Sequence, residues 1–370
     1  MTLEDYHRLR TVPTPYGPLF TKPGARGFPD PRYQLLAELP EIPSGARVLD
    51  LNPGVGLAAF AHARKGASLE AIEGSRAAFR ALAENARAAG FKARVGLPWE
   101  AKKEAFDALL LALPAERGTR YVQAALAAAG RALKPGGLLW IAGSKKKGFD
   151  RYFKEAKQRI GYGRVERREG PYRLAVLQKE KDPELPPLWR DFEAELRGHR
   201  LRFKTLPGVF SEDGVDPASR LLLETLPPLS AEDRVLDLGA GYGALSLPLA
   251  AEGAAVTGLE DELAGLRSLA ESARENHLPV RALHSDVDEA LTGDEKFTIV
   301  VTNPPFHVGG SVVLDVAKAF VHAAHRHLDK GGRFYLVANP FLKYEPLIES
   351  LFGNVETLRA DRFKVLAATR

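Results

Sequence analysis

A nine-residue segment occurs twice in this chain of 370 residues. Val48-Leu49-Asp50-Leu51-Asn52-Pro53-Gly54-Val55-Gly56 returns as Val235-Leu236-Asp237-Leu238-Gly239-Ala240-Gly241-Tyr242-Gly243, 187 positions further on. Glu73 stands opposite Glu260 at the same displacement. Later, Leu133-Lys134-Pro135-Gly136-Gly137 and the apolar run 138–142 parallel Leu328-Asp329-Lys330-Gly331-Gly332 and the run 333–338. Self-similarity at this spacing predicts two copies of one fold, which agrees with a length that suits two domains of roughly 100–200 residues.

Within each copy, short β-branched or leucine-rich runs alternate with alanine-rich helical stretches. This pattern predicts an α/β fold with a mainly parallel sheet covered by helices on both faces. In the second copy, strands are expected at Arg234–Leu238, 255–259, 280–283, 298–302 and 332–338, with helices over 261–276 and 311–328. The charged, proline-rich stretch Lys179-Glu180-Lys181-Asp182-Pro183-Glu184-Leu185-Pro186-Pro187 reads as a linker, dividing the chain into domains 1–185 and 186–370. After it, 192–196 and 199–204 flank Arg197-Gly198 as a hairpin expected to cover an edge or mouth of the second sheet.

Charge separates the copies. Residues 1–190 hold 33 Lys+Arg and 20 Asp+Glu, net +13, whereas 191–370 are net −8. A basic half suits a polyanionic partner. The chain has no cysteine, so disulfides, thiolate metal sites and thiol nucleophiles are excluded. It has no apolar run of 18 residues and starts on the acidic Met1-Thr2-Leu3-Glu4-Asp5, so a cytoplasmic protein without membrane contact is expected.

The second copy carries the chemistry. Asp237, Gly239, Gly241 and Gly243 form a strand-to-helix turn where a ligand can approach bare backbone. Glu260 ends the next strand, placed to accept from two ribose hydroxyls; Asp286, before Val287, ends the third and can accept from an adenine amine. Asn303-Pro304-Pro305-Phe306 follows the fourth strand. Consecutive prolines stop the strand and remove amide donors, leaving the Asn303 side-chain oxygen and the Pro304 carbonyl as acceptors. An exocyclic amine is a poor nucleophile because its lone pair is delocalised into the ring. Acceptors on its hydrogens draw the nitrogen toward tetrahedral geometry, and Phe306 can stack on the ring. This arrangement serves RNA, DNA or a protein amide equally well.

These motifs, with Thr205-Leu206-Pro207-Gly208-Val209-Phe210-Ser211, His307 and Val337-Ala338-Asn339, resemble those of the ribosomal RNA small subunit methyltransferase C family along the whole chain. The resemblance implies two tandem Rossmann-like class I methyltransferase domains, the first degenerate, and S-adenosylmethionine as cofactor. It also implies methylation of a guanine N2 in 16S rRNA, on the assembled small ribosomal subunit. It assigns Asp237, Gly239, Gly241 and Gly243 to the methionine part of the cofactor, Glu260 to the ribose, Asp286 and Val287 to the adenine, and Asn303, Pro304, Pro305 and Phe306 to the target base. Phe210 and Ser219 are expected near the site. Asp286 replaces the Asn of some relatives, and either residue accepts from the adenine amine. A monomer is expected, because the fused second copy can supply the interface a dimer would provide.

The first copy loses the chemistry. Asn52 and Pro53 replace Gly239 and Ala240, and Ala112, Leu113 and Pro114 fall opposite Asn303, Pro304 and Pro305. It is expected to hold RNA and no cofactor, through Lys145, Lys146, Lys147, Arg151, Lys154, Arg164, Arg167 and Arg168, with Tyr152, Phe153, Tyr162 and Tyr172 available for stacking. His322, His325 and His327 lack an acidic partner at ligand spacing, so no metal site is expected. The alternatives at this point are a methyltransferase acting on a protein glutamine amide or DNA adenine, and a noncatalytic ribosome-assembly factor.

Overall fold

Along Arg234–Leu238 the buried side chains alternate between two cores. Val235 packs with Val256, Ile299 and Val337, while Leu236 and Leu238 pack with Val300, Phe334 and Leu336. A strand apolar on both faces must lie inside a sheet covered on both sides. In the computed structural model, which describes residues 1–305 and 311–370, this strand is central in a seven-stranded sheet. The spatial order is Val280–His284, Ala255–Glu260, Arg234–Leu238, Phe297–Thr302, Leu328–Ala338, Lys364–Thr369, Glu356–Ala360. The first five pair in parallel and the last two add antiparallel.

The other copy repeats this order with Lys92–Val95, Ser68–Glu73, Arg47–Leu51, Phe106–Ala112, Leu133–Ser144, Tyr172–Gln178 and Gly163–Glu169. The expected tandem class I methyltransferase folds are present. In each sheet the order reverses at the central strand, which opens a crevice beyond the strands' carboxyl ends, where ligands bind in doubly wound sheets.

The two compact units are Leu9–Leu188, and Met1–Arg8 together with Trp189–Arg370. The boundary between them lies at Leu188 and Trp189, and the first eight residues belong with the second unit. The expected linker is a strap on the first unit. The buried Lys179 donates through Nζ to the Leu133 carbonyl at 2.8 Å, and the Glu180 and Lys181 amides donate to the Ile160 carbonyl.

The expected hairpin is Arg190–Leu196 paired with His199–Thr205. Arg197 and Gly198 both have positive φ, +51° and +79°, the signature of a type I′ turn. The hairpin docks on helix Leu263–Glu275, where Ser272 Oγ accepts from the Lys204 amide at 2.9 Å and Ser268 Oγ accepts from the Leu206 amide at 3.0 Å. In the first unit, strands Arg10–Thr14 and Gly17–Thr21 form the corresponding hairpin. Asn85, which matches Ser272 at the 187-residue displacement, binds the Phe20 amide and carbonyl.

Candidate active site

Asp237 and Glu260 build one wall of the second unit's crevice. Asp237 is buried; its Oδ2 accepts from Ser246 Oγ at 2.6 Å while Oδ1 has no hydrogen-bond partner among the described residues. Burial pushes its carboxyl up to about 7, against the lowering effect of the Ser246 hydrogen bond. Glu260 accepts from the Gly241 amide at 2.7 Å and from the Glu262 amide at 2.9 Å, and burial raises it to about 7. The turn between them is tight: Gly239 has φ +78°, and a Cβ there would meet the Phe320 ring at 3.1 Å. Gly241, at φ +58°, has no described atom within 4 Å of where its Cβ would lie. The backbone at Gly241 is therefore open to a ligand among the described residues.

The other wall carries Asn303. Its Nδ2 donates to Ser219 Oγ at 3.0 Å and to the Asp216 carboxylate oxygens at 3.3 and 3.4 Å. A carboxylate only accepts, so this contact assigns the amide's orientation: the NH2 group is bound, and Oδ1 is the acceptor end. Asp216 is itself fixed as the N-cap of helix Pro217–Thr225, accepting from the Ala218 and Ser219 amides at 3.0 and 3.2 Å. Pro304 is buried and Pro305 exposed; Phe306 and His307 lie outside the described residues.

At the end of the third strand, Asp286 is buried and accepts from Tyr6 Oη at 2.9 Å. Val287 has φ +57°, a strained value for a β-branched residue. Asp288 binds His7 Nε2 at 2.7 Å and His327 Nε2 at 3.1 Å. Burial alone would raise the Asp288 carboxyl, but the His327 and His7 hydrogen bonds hold it well below its ordinary range. Burial opposes protonation of His7, yet Asp286 and Asp288 raise it overall. The short helix Leu3–His7 thus pins the Asp286 loop, a role that no periodicity in the sequence signals.

The first unit builds the same turn differently. Gly54 occupies the position of Gly241, but a Cβ there would meet the Arg26 carbonyl oxygen at 2.5 Å, because residues 26 and 27 cover the turn. The Val55 amide donates to that same carbonyl at 2.8 Å. Glu73 keeps the two backbone contacts of Glu260, to the Gly54 and Ser75 amides, and gains Arg26 and Arg117 at 3.6 and 3.8 Å. Ala112 stands in the place of Asn303, and the Leu113 carbonyl, opposite that of Pro304, accepts from Arg32 Nη1 at 2.7 Å. The turn at Gly54 is filled by the chain's own backbone, and the Asn303 amide has no counterpart.

The comparisons with known proteins extend this geometry. A sequence-family model described as "Methyltransferase small domain" matches residues 27–173 and 200–367, one segment per copy. A solved structure titled "T. Thermophilus 16S rRNA N2 G1207 methyltransferase (RsmC) in complex with AdoMet and Guanosine" aligns over 100% of both chains with 56% identity and a TM-score of 0.95. The chain belongs to the ribosomal RNA small subunit methyltransferase C family. Curated relatives of that name include those of Salmonella arizonae, 37% identical over 193 residues, covering 51% of this chain and 54% of the relative, and Citrobacter koseri, 38% identical over 174 residues, covering 46% and 50%. The chain spans about half the length of these curated relatives.

Of the residues expected in this family's site, Asp237, Gly239, Gly241, Gly243 and Glu260 gather at one turn, and Ser219 meets Asn303. Phe210 is 56% exposed on the loop after the hairpin. Sequence reasoning missed Asp216, although Asp30-Pro31 and Asp216-Pro217 repeat at nearly the main displacement, each Asp capping a helix. Among the basic residues, Lys145, Lys146 and Lys147 form one exposed turn, Arg151 and Lys154 lie exposed on helix Phe149–Arg159, and Arg164, Arg167 and Arg168 lie on the edge strand Gly163–Glu169. Arg164 pairs with Glu166 at 2.7 Å. One expected stacking residue is corrected: Tyr152 is 2% exposed, packed in the core beneath Arg151, whereas Phe153 and Tyr172 are half-buried and Tyr162 is exposed. His327 is buried on Asp288, His325 packs on Phe352, and no group of three potential ligands suits a metal among the described residues.

Proposed function

We propose that this protein transfers the methyl group of S-adenosylmethionine to the exocyclic N2 amine of a guanine in 16S rRNA, the nucleotide corresponding to the G1207 named for the T. thermophilus relative. The clamp on Asn303 carries the reading. With Nδ2 committed to Asp216 and Ser219, Oδ1 can only accept, and an amine at the site donates to it.

The residues present fit the cofactor: a backbone at Gly241 that no described atom covers, a buried Asp237 oxygen without a partner among the described residues, and Glu260 at the strand end. When bound there, S-adenosylmethionine supplies an electrophilic methyl group on a sulfonium. Glu260 is the ribose acceptor, the Asp286-Val287 loop borders the adenine, and Asp237 with the glycine turn holds the methionine part. Asn303 Oδ1 and the Pro304 carbonyl take the two amine hydrogens, which turns the nitrogen lone pair out of the ring and toward the methyl carbon. The bound cofactor would supply that carbon to the nitrogen, with its sulfur departing as a neutral thioether. The alkylated nitrogen is then acidic, and its proton leaves along these acceptors to water. Neither acceptor is a strong base, so catalysis is orientation and desolvation.

The first unit serves as RNA holder, with Lys145, Lys146, Lys147, Arg151, Lys154, Arg164, Arg167 and Arg168 as phosphate contacts. The protein acts in the cytoplasm as a monomer, with the assembled small ribosomal subunit as substrate. Incubation with labelled cofactor and small subunits, naked 16S rRNA, DNA or a release factor tests this. Label is expected on one guanine of the rRNA, and label on DNA or protein alone overturns it. Asn303→Ala should keep cofactor affinity and lose at least about 100-fold in turnover, the scale of one well-placed polar group in a catalytic site.

A further inference from the structure

The first unit keeps a cavity of about 130 Å³ beyond the carboxyl ends of its strands, lined by Asp30, Arg32, Leu113, Ser144, Lys147 and Tyr172 among others. Its position in the duplicated fold is defined by strand register. Leu109 pairs with Leu139 as Val300 pairs with Phe334, so Leu113 corresponds to Pro304 and Ser144 to Asn339. Asp30 corresponds to Asp216: each precedes a proline and caps the helix that follows. The cavity therefore occupies the silent copy's equivalent of the target-base pocket.

From this we infer that the silent copy binds a second, unpaired nucleotide of the same RNA, with the base inside the cavity and the phosphate at Lys147. The inference rests on the RNA reading above. The charges set the polarity of binding. Arg32 is saturated inside, bound to Asp30 at 2.8 Å, to Glu116 at 3.1 Å and to the Leu113 carbonyl, so it offers no net charge to an anion. Asp30 and Glu116 together outweigh the single Arg32 charge, so the interior disfavours a phosphate and suits an uncharged ring. Lys147 is exposed beside Lys145 and Lys146, with no acid paired to any of them among the described residues. Leu113, Phe149 and the half-buried Tyr172 supply apolar wall for a planar ring. With Ala112 in place of Asn303 and the Leu113 carbonyl accepting from Arg32, a base held there is not methylated.

The test uses the full chain and single-stranded oligoribonucleotides, measured by fluorescence anisotropy. Ala115→Phe, at a half-buried position on the cavity wall, should weaken binding about tenfold. Lys147→Gln should weaken it about threefold and reduce the salt slope by about one. An abasic oligoribonucleotide should bind wild type and Ala115→Phe equally. Unchanged affinity in Ala115→Phe, a difference that persists on abasic RNA, or displacement of the RNA by inorganic phosphate alone overturns the inference. If Ala115→Phe shifts the first unit's unfolding transition, Tyr172→Ala replaces it with the same expectation. Base-dependent binding in a protein that labels no rRNA would retain the pocket and refute the proposed function; rRNA labelling with a neutral Ala115→Phe would do the reverse.

Discussion

Asp216→Asn separates the two tasks of Asp216. Asparagine is as good an N-cap as aspartate, so the hydrogen bonds to the Ala218 and Ser219 amides survive and stability should change by less than about 0.5 kcal/mol. The contact with Asn303 does not survive equally well. A carboxylate accepts at both oxygens, at 3.3 and 3.4 Å, whereas an amide presents a donor on one side and no longer dictates which end of Asn303 faces it. A hydrogen bond to a charged group is worth about 1.5–3 kcal/mol. The long distances favour the lower half of that range, and the 3.0 Å bond to Ser219 Oγ retains part of the preference. Losing about 1–2 kcal/mol of orientation corresponds to a fall in turnover of about 5- to 30-fold. Label transfer to small subunits under saturating conditions gives kcat, equilibrium dialysis gives cofactor affinity, and thermal unfolding gives stability. The expected result is a fall in kcat alone. A kcat within threefold of wild type, or a loss accounted for by weaker cofactor binding or a lower Tm, refutes the orientation argument.

Other expectations follow from the same geometry. Asp237 and Glu260 have folded pKa values near 7 and ordinary values of 3.8 and 4.5, so the folded form binds their protons more tightly. Stability of the second unit should therefore be highest below about pH 4 as far as these groups are concerned, fall as pH rises to about 7, and level off above, with an upper bound of roughly 4 kcal/mol for Asp237. Urea titrations across that range should show a shallower fall in Asp237→Asn. Cofactor affinity should rise through pH 7 as Glu260 ionises, seen as proton release in calorimetry across buffers; proton uptake would contradict the ribose role. Gly54→Ala should destabilise its unit by about 2 kcal/mol more than Gly241→Ala destabilises the other. Both pay for positive φ, but only Gly54 drives its Cβ into a backbone carbonyl, and equal losses in denaturant would disprove the covered turn. Tyr6→Phe removes the 2.9 Å hydrogen bond to Asp286 and should weaken cofactor binding about fivefold, with affinity for oligoribonucleotides unchanged. An unaltered dissociation constant would separate the N-terminal helix from the cofactor site.

The repeated unit is legible in the order of the residues alone. Hydrophobic alternation and the recurring strand-turn segment dictate two parallel-sheet copies, because local periodicity and turn chemistry are properties of neighbouring residues. The same holds for the hairpin, whose Arg197-Gly198 turn needs two positive φ values, and for Asp237, Glu260 and Asn303, which the fold's regularity sends to successive strand ends. The tertiary structure alone decided how those groups are held. Asp216 reaches Asn303 across 87 positions and Tyr6 reaches Asp286 across 280, and no sequence period records such distances. The proline-rich stretch after Gln178 reads locally as a linker, yet it buries Lys179 against its own sheet. The contrast between the copies also depends on space. Gly54 and Gly241 share a residue type and a positive φ, but the chain covers one with residues 26 and 27 and leaves the other open among the described residues. Whether a glycine turn is a ligand site is set by what packs on it, and packing is decided by residues far away in sequence.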